Sequence, residues 1–218
     1  TSRAELRVLG RLVTEGTSSQ PVRFNSATSG IGSWYGVDFL PGATGSVVRG
    51  LIVQHATYGL RLRSSPGTFD RLTLTRNTHG VYATSGGSAT IANALLVDNS
   101  PYGAYTTGSG SVTLDHCTLR GNIDGVYLSG GTATVLDSVI ANNSDDGVDQ
   151  NSGSASVIAT SPAATQKAWS AWRSPAELAR QAIPAMTSAT TPAKTSGAPL
   201  VRKIYHGSRA PSASLVHS

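Results

Sequence analysis

The sequence predicts an all-β solenoid, in which short strands wind into stacked coils around one apolar interior. The main observation is a phrase that occurs six times: a glycine, an apolar residue and then a residue of outward-facing type. The repeat glycines are Gly36, Gly59, Gly80, Gly103, Gly125 and Gly147, at steps of 23, 21, 23, 22 and 22 residues. A period in the low twenties is typical of solenoids, whose coils bury their apolar side only by stacking on each other. The composition agrees, because charged residues make up only 13% of the 218 residues and a helical protein needs more Leu, Glu and Lys.

Each coil is expected to hold three short strands, because apolar residues recur in two stretches before the repeat glycine and again one and three residues after it, as at Val37 and Phe39. The column eight residues before it contains Leu51, Leu72, Leu95, Cys117 and Val139, and the column six residues before it contains Val53, Leu74, Val97, Leu119 and Ala141. A third column, eleven or twelve residues before it, contains Val48, Phe69, Ile91, Leu114 and Leu136. Alternation at these positions predicts strands with one buried face. Cys117, the single cysteine, is therefore expected to be a buried apolar residue without an internal disulfide partner.

Three further features accompany these columns. Asparagines stand three or four positions before the glycine, namely Asn77, Asn99, Asn122 and Asn143, and stacked asparagines at a turn are expected to hydrogen-bond along the axis. The glycine itself is expected to supply a backbone shape that a side chain would disfavour. An outward column is unusually apolar for an exposed strand and contains Ile52, Thr73, Leu96, Thr118 and Ile140.

The Gly-Val/Leu-Tyr repeats, the asparagine turns and the phrase Ile140-Ala141-Asn142-Asn143 resemble the right-handed parallel β-helix of the pectate-lyase-like superfamily. The opening, with Trp34-Tyr35-Gly36-Val37-Asp38, looks like the first coils of secreted bacterial β-helix repeat proteins. The resemblance covers roughly residues 4–158 and implies a single right-handed parallel β-helix of about six to seven coils. It does not imply one activity, because the superfamily includes lyases, hydrolases, epimerases, adhesins and inert spacers.

The chain is expected to divide into three segments. Residues 1–158 form the solenoid, residues 159–186 contain one amphipathic helix, and residues 187–218 form a disordered tail. The helix would cap the open end of the solenoid against edge pairing, or alternatively lie along the apolar outward column.

Charge and hydropathy limit the partners. Residues 1–158 carry 10 Lys and Arg against 11 Asp and Glu, whereas residues 159–218 carry 7 basic residues against one acidic residue. A nucleic-acid-binding domain would carry its basic surface on the folded unit, so no nucleic-acid partner is expected. No apolar run is long enough to span a bilayer, and no signal peptide is visible in this chain. With the secreted-type resemblance, we expect an extracellular or cell-surface location; the oligomeric state stays open.

The strongest candidate site is aromatic. Two residues after the repeat glycine stand Tyr82, Tyr105 and Tyr127, and Arg61 holds the same position one coil earlier. One residue before the glycine stand Tyr58, His79 and Tyr102. Strands stack about 4.8 Å apart, so these side chains form a stripe on one face. We expect the stripe to bind substrate as a platform on which sugar rings stack; the alternative is that stacked tyrosines only stabilise neighbouring strands.

A second candidate is a column of carboxylates ten residues before the glycine, with Asp70, Asn93, Asp115 and Asp137. Oxygen ligands in this arrangement suit Ca²⁺, so Asp115 and Asp137, together with Asp124, are candidate metal ligands. The alternative is that these are solvated side chains that cap turns. No cofactor is expected to be required, and Ca²⁺ is the one metal that the pattern suggests.

A third candidate is catalytic. Asp115-His116-Cys117 followed by Asp124-Gly125-Val126 resembles a local phrase of pectate lyases, where an Asp-His pair precedes a coil whose Asp-Gly holds calcium. The resemblance implies Asp115, His116, Arg120 and Asp124 as catalytic residues, although Arg120 stands alone and is not in the setting of the family's arginine base.

Three functions follow from these candidates. The first is an extracellular or cell-surface β-helix that binds polysaccharide or a cell-surface glycan along its tyrosine-bearing face. The second is a calcium-dependent polysaccharide lyase or glycoside hydrolase acting on polymers of the uronic-acid type. The third is a non-catalytic structural or adhesin solenoid. The sequence leaves open whether the protein is an enzyme.

Overall fold

The computed structural model describes residues 3–158 and 201–203. Every regular element in these residues is a β-strand, and strands of successive coils pair in parallel. The predicted capping helix in 159–186 lies outside the described residues, as does the predicted disordered tail in 187–218 apart from residues 201–203.

Three parallel faces surround the interior. The first face consists of β1 (Glu5–Val8), β4 (Trp34–Phe39), β7 (Ala56–Leu62), β10 (His79–Ala83) and the first halves of β13 (Tyr102–Asp115), β15 (Asp124–Leu136) and β17 (Val148–Ile158). The second face consists of β2 (Val13–Glu15), β5 (Ser46–Arg49), β8 (Gly67–Asp70), β11 (Ser88–Ala92) and the second halves of β13, β15 and β17. The third face consists of β3 (Val22–Phe24), β6 (Leu51–Gln54), β9 (Thr73–Thr75), β12 (Leu95–Val97), β14 (Thr118–Arg120) and β16 (Val139–Ala141).

This arrangement confirms the predicted all-β parallel solenoid. It makes about six turns within residues 3–158. A further strand, β18 (Val201–Lys203), pairs antiparallel with the end of β17 at Ser156–Ile158. β18 thus pairs with the edge of β17 on the second face, which protects part of that edge from pairing with another molecule.

The repeat glycine is required by space more than by backbone shape. A Cβ on Gly59, Gly80 or Gly103 would lie 2.4 to 2.5 Å from the carbonyl oxygen of the glycine in the next coil, closer than carbon and oxygen can approach. The predicted special backbone conformation occurs at Gly36, whose φ is 111°. The glycine column therefore sets how closely successive coils stack on the first face.

The predicted asparagine ladder is present and buried. The backbone N–H of Asn77 donates to the side-chain oxygen of Asn99 at 3.1 Å, and that of Asn99 donates to Asn122 at 2.9 Å. The Nδ2 group of each donates to a backbone carbonyl oxygen of the preceding coil. Every buried amide in the ladder has partners, so the turn is held at the same position in each coil.

Two inward positions differ from the prediction. Leu96 and Ile140 are fully buried, although they were assigned to the apolar outward column. The residues predicted to face inward in those two coils were Leu95, Val97, Val139 and Ala141, and this prediction was wrong. Leu95 is 45% exposed instead. The outward column is instead Ile52, Thr73, Leu95, Thr118 and Val139, so it still contains three aliphatic residues.

The error arises from the length of one turn. The asparagine precedes the glycine by three residues in two coils and by four in the two others, which hold Asn99 and Asn143. Counting back three residues from the asparagine gives the inward residue in all four coils: Leu74, Leu96, Leu119 and Ile140. The asparagine is thus the correct alignment point, because its hydrogen bonds hold it at one height while the following turn absorbs the extra residue.

The interior is a continuous apolar core contributed by all three faces. Cys117 is 1% exposed, and its thiol donates to the carbonyl oxygen of Ile91 at 3.3 Å. Burial raises the pKa of Cys117 to about 11, so the thiol stays neutral. The predicted apolar role of this cysteine is confirmed. On the second face, Val135 aligns with the buried Leu114 and is itself 2% exposed, so the inward assignment of Leu136 was wrong.

Candidate functional site: an aromatic strip on the first face

The first face carries two outward columns beside the buried glycine phrase. Within β10, His79 and Tyr82 face outward, whereas Gly80, Val81 and Ala83 are buried. Parallel register repeats this pattern in the neighbouring coils. We call the resulting set of rings the aromatic strip, and it comprises Tyr35, Tyr58, His79, Tyr82, Tyr102, Tyr105 and Tyr127. It contains six of the seven tyrosines of the chain.

The predicted substrate-binding residues are brought together by this register. All seven of them lie in one chain of ring and cation contacts: Tyr58, Arg61, His79, Tyr82, Tyr102, Tyr105 and Tyr127. Sequence reasoning missed Tyr35 and Arg63. Tyr35 could have been found, because it precedes Gly36 as Tyr58 precedes Gly59. Arg63 lies outside the repeated phrase and gave no periodic signal.

The rings of the aromatic strip stack mainly on each other. Tyr58 and His79 are 5.4 Å apart at 22°, Tyr82 and Tyr105 are 4.9 Å apart at 27°, and Tyr102 and Tyr127 are 4.5 Å apart at 9°. Offset stacking at these distances is attractive and turns the ring faces along the solenoid axis. The strip therefore presents chiefly ring edges and phenol groups to the outside, and ring faces are freer at its two ends. A ligand would meet polar tips on an apolar base.

Burial sets the charge state of the strip. It lowers the pKa of His79 to about 4, so its imidazole is neutral at pH 7, and the Nδ1 atom of that ring is buried without a hydrogen-bond partner. Burial raises the pKa of Tyr58 and of Tyr102. The charge of Arg61 opposes this rise in pKa at Tyr58, whereas neighbouring tyrosines and aspartates add to it at Tyr102. These phenols thus keep their protons, and each can both donate and accept a hydrogen bond.

One end of the strip is cationic. The guanidinium carbon of Arg61 lies 5.2 Å from the ring centre of Tyr58 and 5.8 Å from that of Tyr82, and Arg61 Nη1 donates to the Tyr35 hydroxyl at 2.5 Å. Beneath it, the carboxylate of Asp38 is 1% exposed and accepts from Arg63 Nη2 at 2.8 Å. The same carboxylate oxygen lies 3.8 Å from Arg61 Nη1. Two guanidinium groups therefore share one buried carboxylate.

The other end of the strip is anionic. Asp124 is 6% exposed and accepts from the backbone N–H of Asp146 at 3.0 Å. Burial and the charges of Asp145, Asp149 and Asp146 raise the pKa of Asp124 to about 6, against the opposing effect of that hydrogen bond. Tyr102, in the neighbouring coil of the same column, also feels the charges of Asp124 and Asp149. The strip thus runs from positive to negative along the solenoid axis.

The predicted catalytic residues occupy other places. Asp115 and His116 are in contact, with 2.7 Å between a carboxylate oxygen and Nδ1, and both side chains are substantially exposed at the corner before β14. Arg120 ends β14 and is exposed, while Asp124 begins β15 beyond the next turn. The strand β14 therefore separates the Asp115–His116 pair from the other two residues.

The predicted carboxylate column is divided between two register positions. Asp70 aligns with Ala92 and then Asp115, whereas Asn93, which donates to Asp70 at 2.9 Å, comes one residue later. Asp137 also comes one residue after the position aligned with Asp115, at a corner where φ is 42°. Within the described residues, no three His, Cys, Asp or Glu side chains are grouped so that they could hold a metal ion. The predicted ligands Asp115, Asp124 and Asp137 are thus not brought together as a set of three.

Comparison with known proteins identifies the fold. A family model described as the right handed beta helix region matches residues 35–165, which is more than half of the chain. The chain belongs to the right-handed β-helix family. No curated protein and no solved structure matches it. In the part of the β-helix that the structure describes, no helix is long and apolar enough to cross a membrane.

Proposed function

We propose that this β-helix is an extracellular or cell-surface protein that binds a polysaccharide along the aromatic strip without cleaving it. The observation that carries the proposal is the continuity of the strip. Its tyrosines come from five consecutive strands of the first face, β4, β7, β10, β13 and β15. At about 4.8 Å per strand the strip is roughly 19 Å long, enough to contact several units of an extended chain.

The chemistry of the strip suits sugar hydroxyl groups. Each phenol donates and accepts hydrogen bonds, as a sugar hydroxyl does, and the ring edges supply apolar contact for sugar C–H groups. The rings are half-buried and stacked, so little side-chain freedom is left to lose on binding. A rigid surface of polar tips on an apolar base is favourable for a polymer whose units carry both hydroxyl groups and C–H faces.

Removal of the phenolic hydroxyl groups tests the proposal while the rings stay stacked. In Tyr82→Phe/Tyr102→Phe both rings remain, and we expect retention on a bound polysaccharide to fall at least tenfold, since two hydrogen bonds of about 1 kcal/mol each are lost. Retention is measured by affinity electrophoresis through a panel of neutral and acidic polysaccharides. Thr90→Val, which removes an exposed hydroxyl on the second face, is the matched control and should not change retention. Equal mobility of the double variant and the parent protein in every gel would refute the proposal.

A structural role is the second candidate, and the ring stacking favours it. Aromatic pairs contribute about 0.5–1.5 kcal/mol each beyond their buried area, so the strip stabilises the coils whether or not it binds a ligand. If that is its whole function, Tyr82→Phe/Tyr102→Phe changes nothing, whereas Tyr82→Ala lowers the denaturation midpoint. The phenylalanine and alanine variants together separate binding from stabilisation.

The enzymatic alternative depends on the contact between Asp115 and His116. The same polysaccharide panel tests it. Unsaturated uronates released in the presence of Ca²⁺ would indicate a lyase, and new reducing ends without unsaturation would indicate a glycoside hydrolase. Asp115→Asn should abolish either product if this pair is the catalytic group.

A further inference from the structure

The opposite charges at the two ends of the aromatic strip determine which ligand suits it. Arg61 and Arg63 stand at the end near β7, and the carboxylates around Asp124 stand at the end near β17. Three strand spacings, about 14 Å, separate the coil of Arg61 from that of Asp124. This distance exceeds the Debye length at physiological salt, so each end presents its own local charge to a ligand.

The cationic end holds more positive charge than its carboxylate neutralises. The structure pairs both Arg61 and Arg63 with the single carboxylate of Asp38, which leaves one positive charge of the three groups uncompensated. The side chains of Arg61 and Arg63 are 18% and 29% exposed, so their outer edges reach solvent. Since both contact the same oxygen of Asp38, the two guanidinium groups lie side by side.

This end also contains buried polar atoms without partners. They are the Nε atoms of Arg61 and Arg63 and the Oδ1 atom of Asp38, a residue that is 99% buried. Buried donors and acceptors are normally paired, and unpaired ones are costly. The protein therefore does not use all the donors of these two guanidinium groups, and their exposed edges can donate to oxygen atoms of a ligand.

The anionic end repels negative groups of a ligand. Asp149 aligns with Tyr127 in the next coil, and Asp124 accepts from the backbone N–H of Asp146 at 3.0 Å, so several carboxylates lie together at this end. A second negative group on a bound chain would meet this end and be repelled. A polymer that carries a carboxylate on every unit therefore fits one end of the strip and conflicts with the other.

We propose that Arg61 and Arg63 form a subsite for a single oxyanion group of the bound glycan, and that the strip selects a largely neutral chain with one anionic substituent over a polyuronate. This inference rests on the proposed glycan-binding function. The shared chemistry of the group is an oxyanion, whether it comes from a uronate, a sulfate ester or a phosphate ester. Guanidinium groups side by side suit any of them, because each presents two oxygens to two donors.

Isothermal titration calorimetry with three oligosaccharides of equal length tests the selectivity. The probes are a neutral β-1,4-linked hexasaccharide, the same hexasaccharide oxidised to a carboxylate at one end, and hexagalacturonate. We expect the singly charged probe to bind about tenfold tighter than the neutral one, as one charge-assisted hydrogen bond allows, and tighter than hexagalacturonate. Equal affinity for the neutral and singly charged probes, or tightest binding of hexagalacturonate, would overturn the inference.

Charge-matched variants locate the effect. Arg61→Gln should reduce the tenfold ratio between the singly charged and neutral probes to about one, while Arg63 still pairs with Asp38. Arg71→Gln changes the net charge by the same amount at the exposed corner beside Asp70, and it should preserve the ratio. A ratio that responds equally to both substitutions would indicate a general charge effect and overturn the subsite.

A probe without sugar separates this inference from the proposed function. Sodium sulfate is titrated into the full chain while the Nε–H signals of its arginines are followed by NMR at constant ionic strength. A saturable shift of the Arg61 or Arg63 signal supports the subsite even if no hexasaccharide binds, in which case only the proposed function fails. The absence of a saturable shift at both residues, with Arg71 as reference, overturns the subsite even if the neutral hexasaccharide binds.

Discussion

His79 and Asp124 give the stability of this β-helix two opposing dependences on pH. Burial lowers the pKa of His79 from 6.5 to about 4. Above pH 6.5 the imidazole is neutral in both the folded and the unfolded chain. As the pH falls below 6.5, the imidazole is protonated in the unfolded chain but stays neutral in the folded chain. The free energy of unfolding therefore decreases until about pH 4. The full loss is about 3 kcal/mol, since one pKa unit corresponds to about 1.4 kcal/mol.

Asp124 acts in the other direction. Its pKa rises from 3.8 to about 6 in the fold, so the folded chain holds a proton that the unfolded chain has released. Its contribution is present below pH 3.8 and is lost as the pH rises to about 6, again by about 3 kcal/mol. Between pH 4 and pH 6 the two effects nearly cancel, so the free energy of unfolding of the parent protein shows neither of them.

Single substitutions reveal them. In His79→Phe the ring stack is kept and the acid-side loss disappears, so the free energy of unfolding should rise as the pH falls from 6.5 to 4. In Asp124→Asn, which can still accept from the Asp146 N–H, it should fall over the same range. Urea unfolding followed by far-UV circular dichroism at half-unit pH steps measures both slopes. The double variant is the control and should lie close to the parent profile.

Parallel profiles for the parent protein and the two single variants between pH 4 and pH 6.5 would refute this reasoning. A direct check is the NMR titration of the His79 imidazole in the folded chain, which should show a midpoint near pH 4. A midpoint near 6.5 would mean that the aromatic strip does not exclude water from that ring.

Three further predictions concern the coil itself and are measured by urea unfolding. Leu96→Ala should lower the free energy of unfolding by about 2–5 kcal/mol, because its side chain is fully buried. Leu95→Ala, beside it and 45% exposed, should lower it by less than about 1 kcal/mol. Equal losses for the two variants would contradict the observed register. Gly103→Ala should destabilise strongly, because its Cβ would lie 2.5 Å from a backbone oxygen, while Gly10→Ala, with nothing within 4 Å, is the control. Asn122→Ala should cost at least about 3 kcal/mol, because several buried partners lose their hydrogen bonds; a cost near that of an exposed Asn→Ala change would refute the ladder's role.

Much of the fold could be predicted because a stacked coil repeats its constraints. Every coil needs a glycine where backbones approach and an asparagine where the turn is held, so both residues recur with a visible period. The register of two third-face strands could not be read from the glycine alone. The turn between asparagine and glycine varies by one residue, and a shift of one residue exchanges the inward and outward sides of a strand.

The candidate site was predictable to a different extent. The outward columns of the first face follow from the same period, which is why most of the aromatic strip was identified. The orientation of the rings was not predictable, since stacking angles depend on side-chain torsions that no spacing rule describes. Arg63 and the buried state of Asp38 were also hidden, because an ion pair between coils leaves no pattern in one sequence.

The mutual stacking of the rings determines how function can be assigned to this face. Substitution of Tyr105 by alanine removes a binding group and four ring contacts at once, so lost binding after such a change would be compatible with either role. Removal of the phenol oxygen alone leaves the stack and changes only what the strip offers outward. The charge at the cationic end can be tested independently of the hydroxyl groups, since Arg61 can be neutralised while Arg63 still pairs with Asp38. A glycan-binding strip must respond to loss of the phenolic hydroxyl groups, and the oxyanion subsite must also respond to loss of the Arg61 charge. A purely structural strip changes its binding in neither case and loses stability when a tyrosine is replaced by alanine.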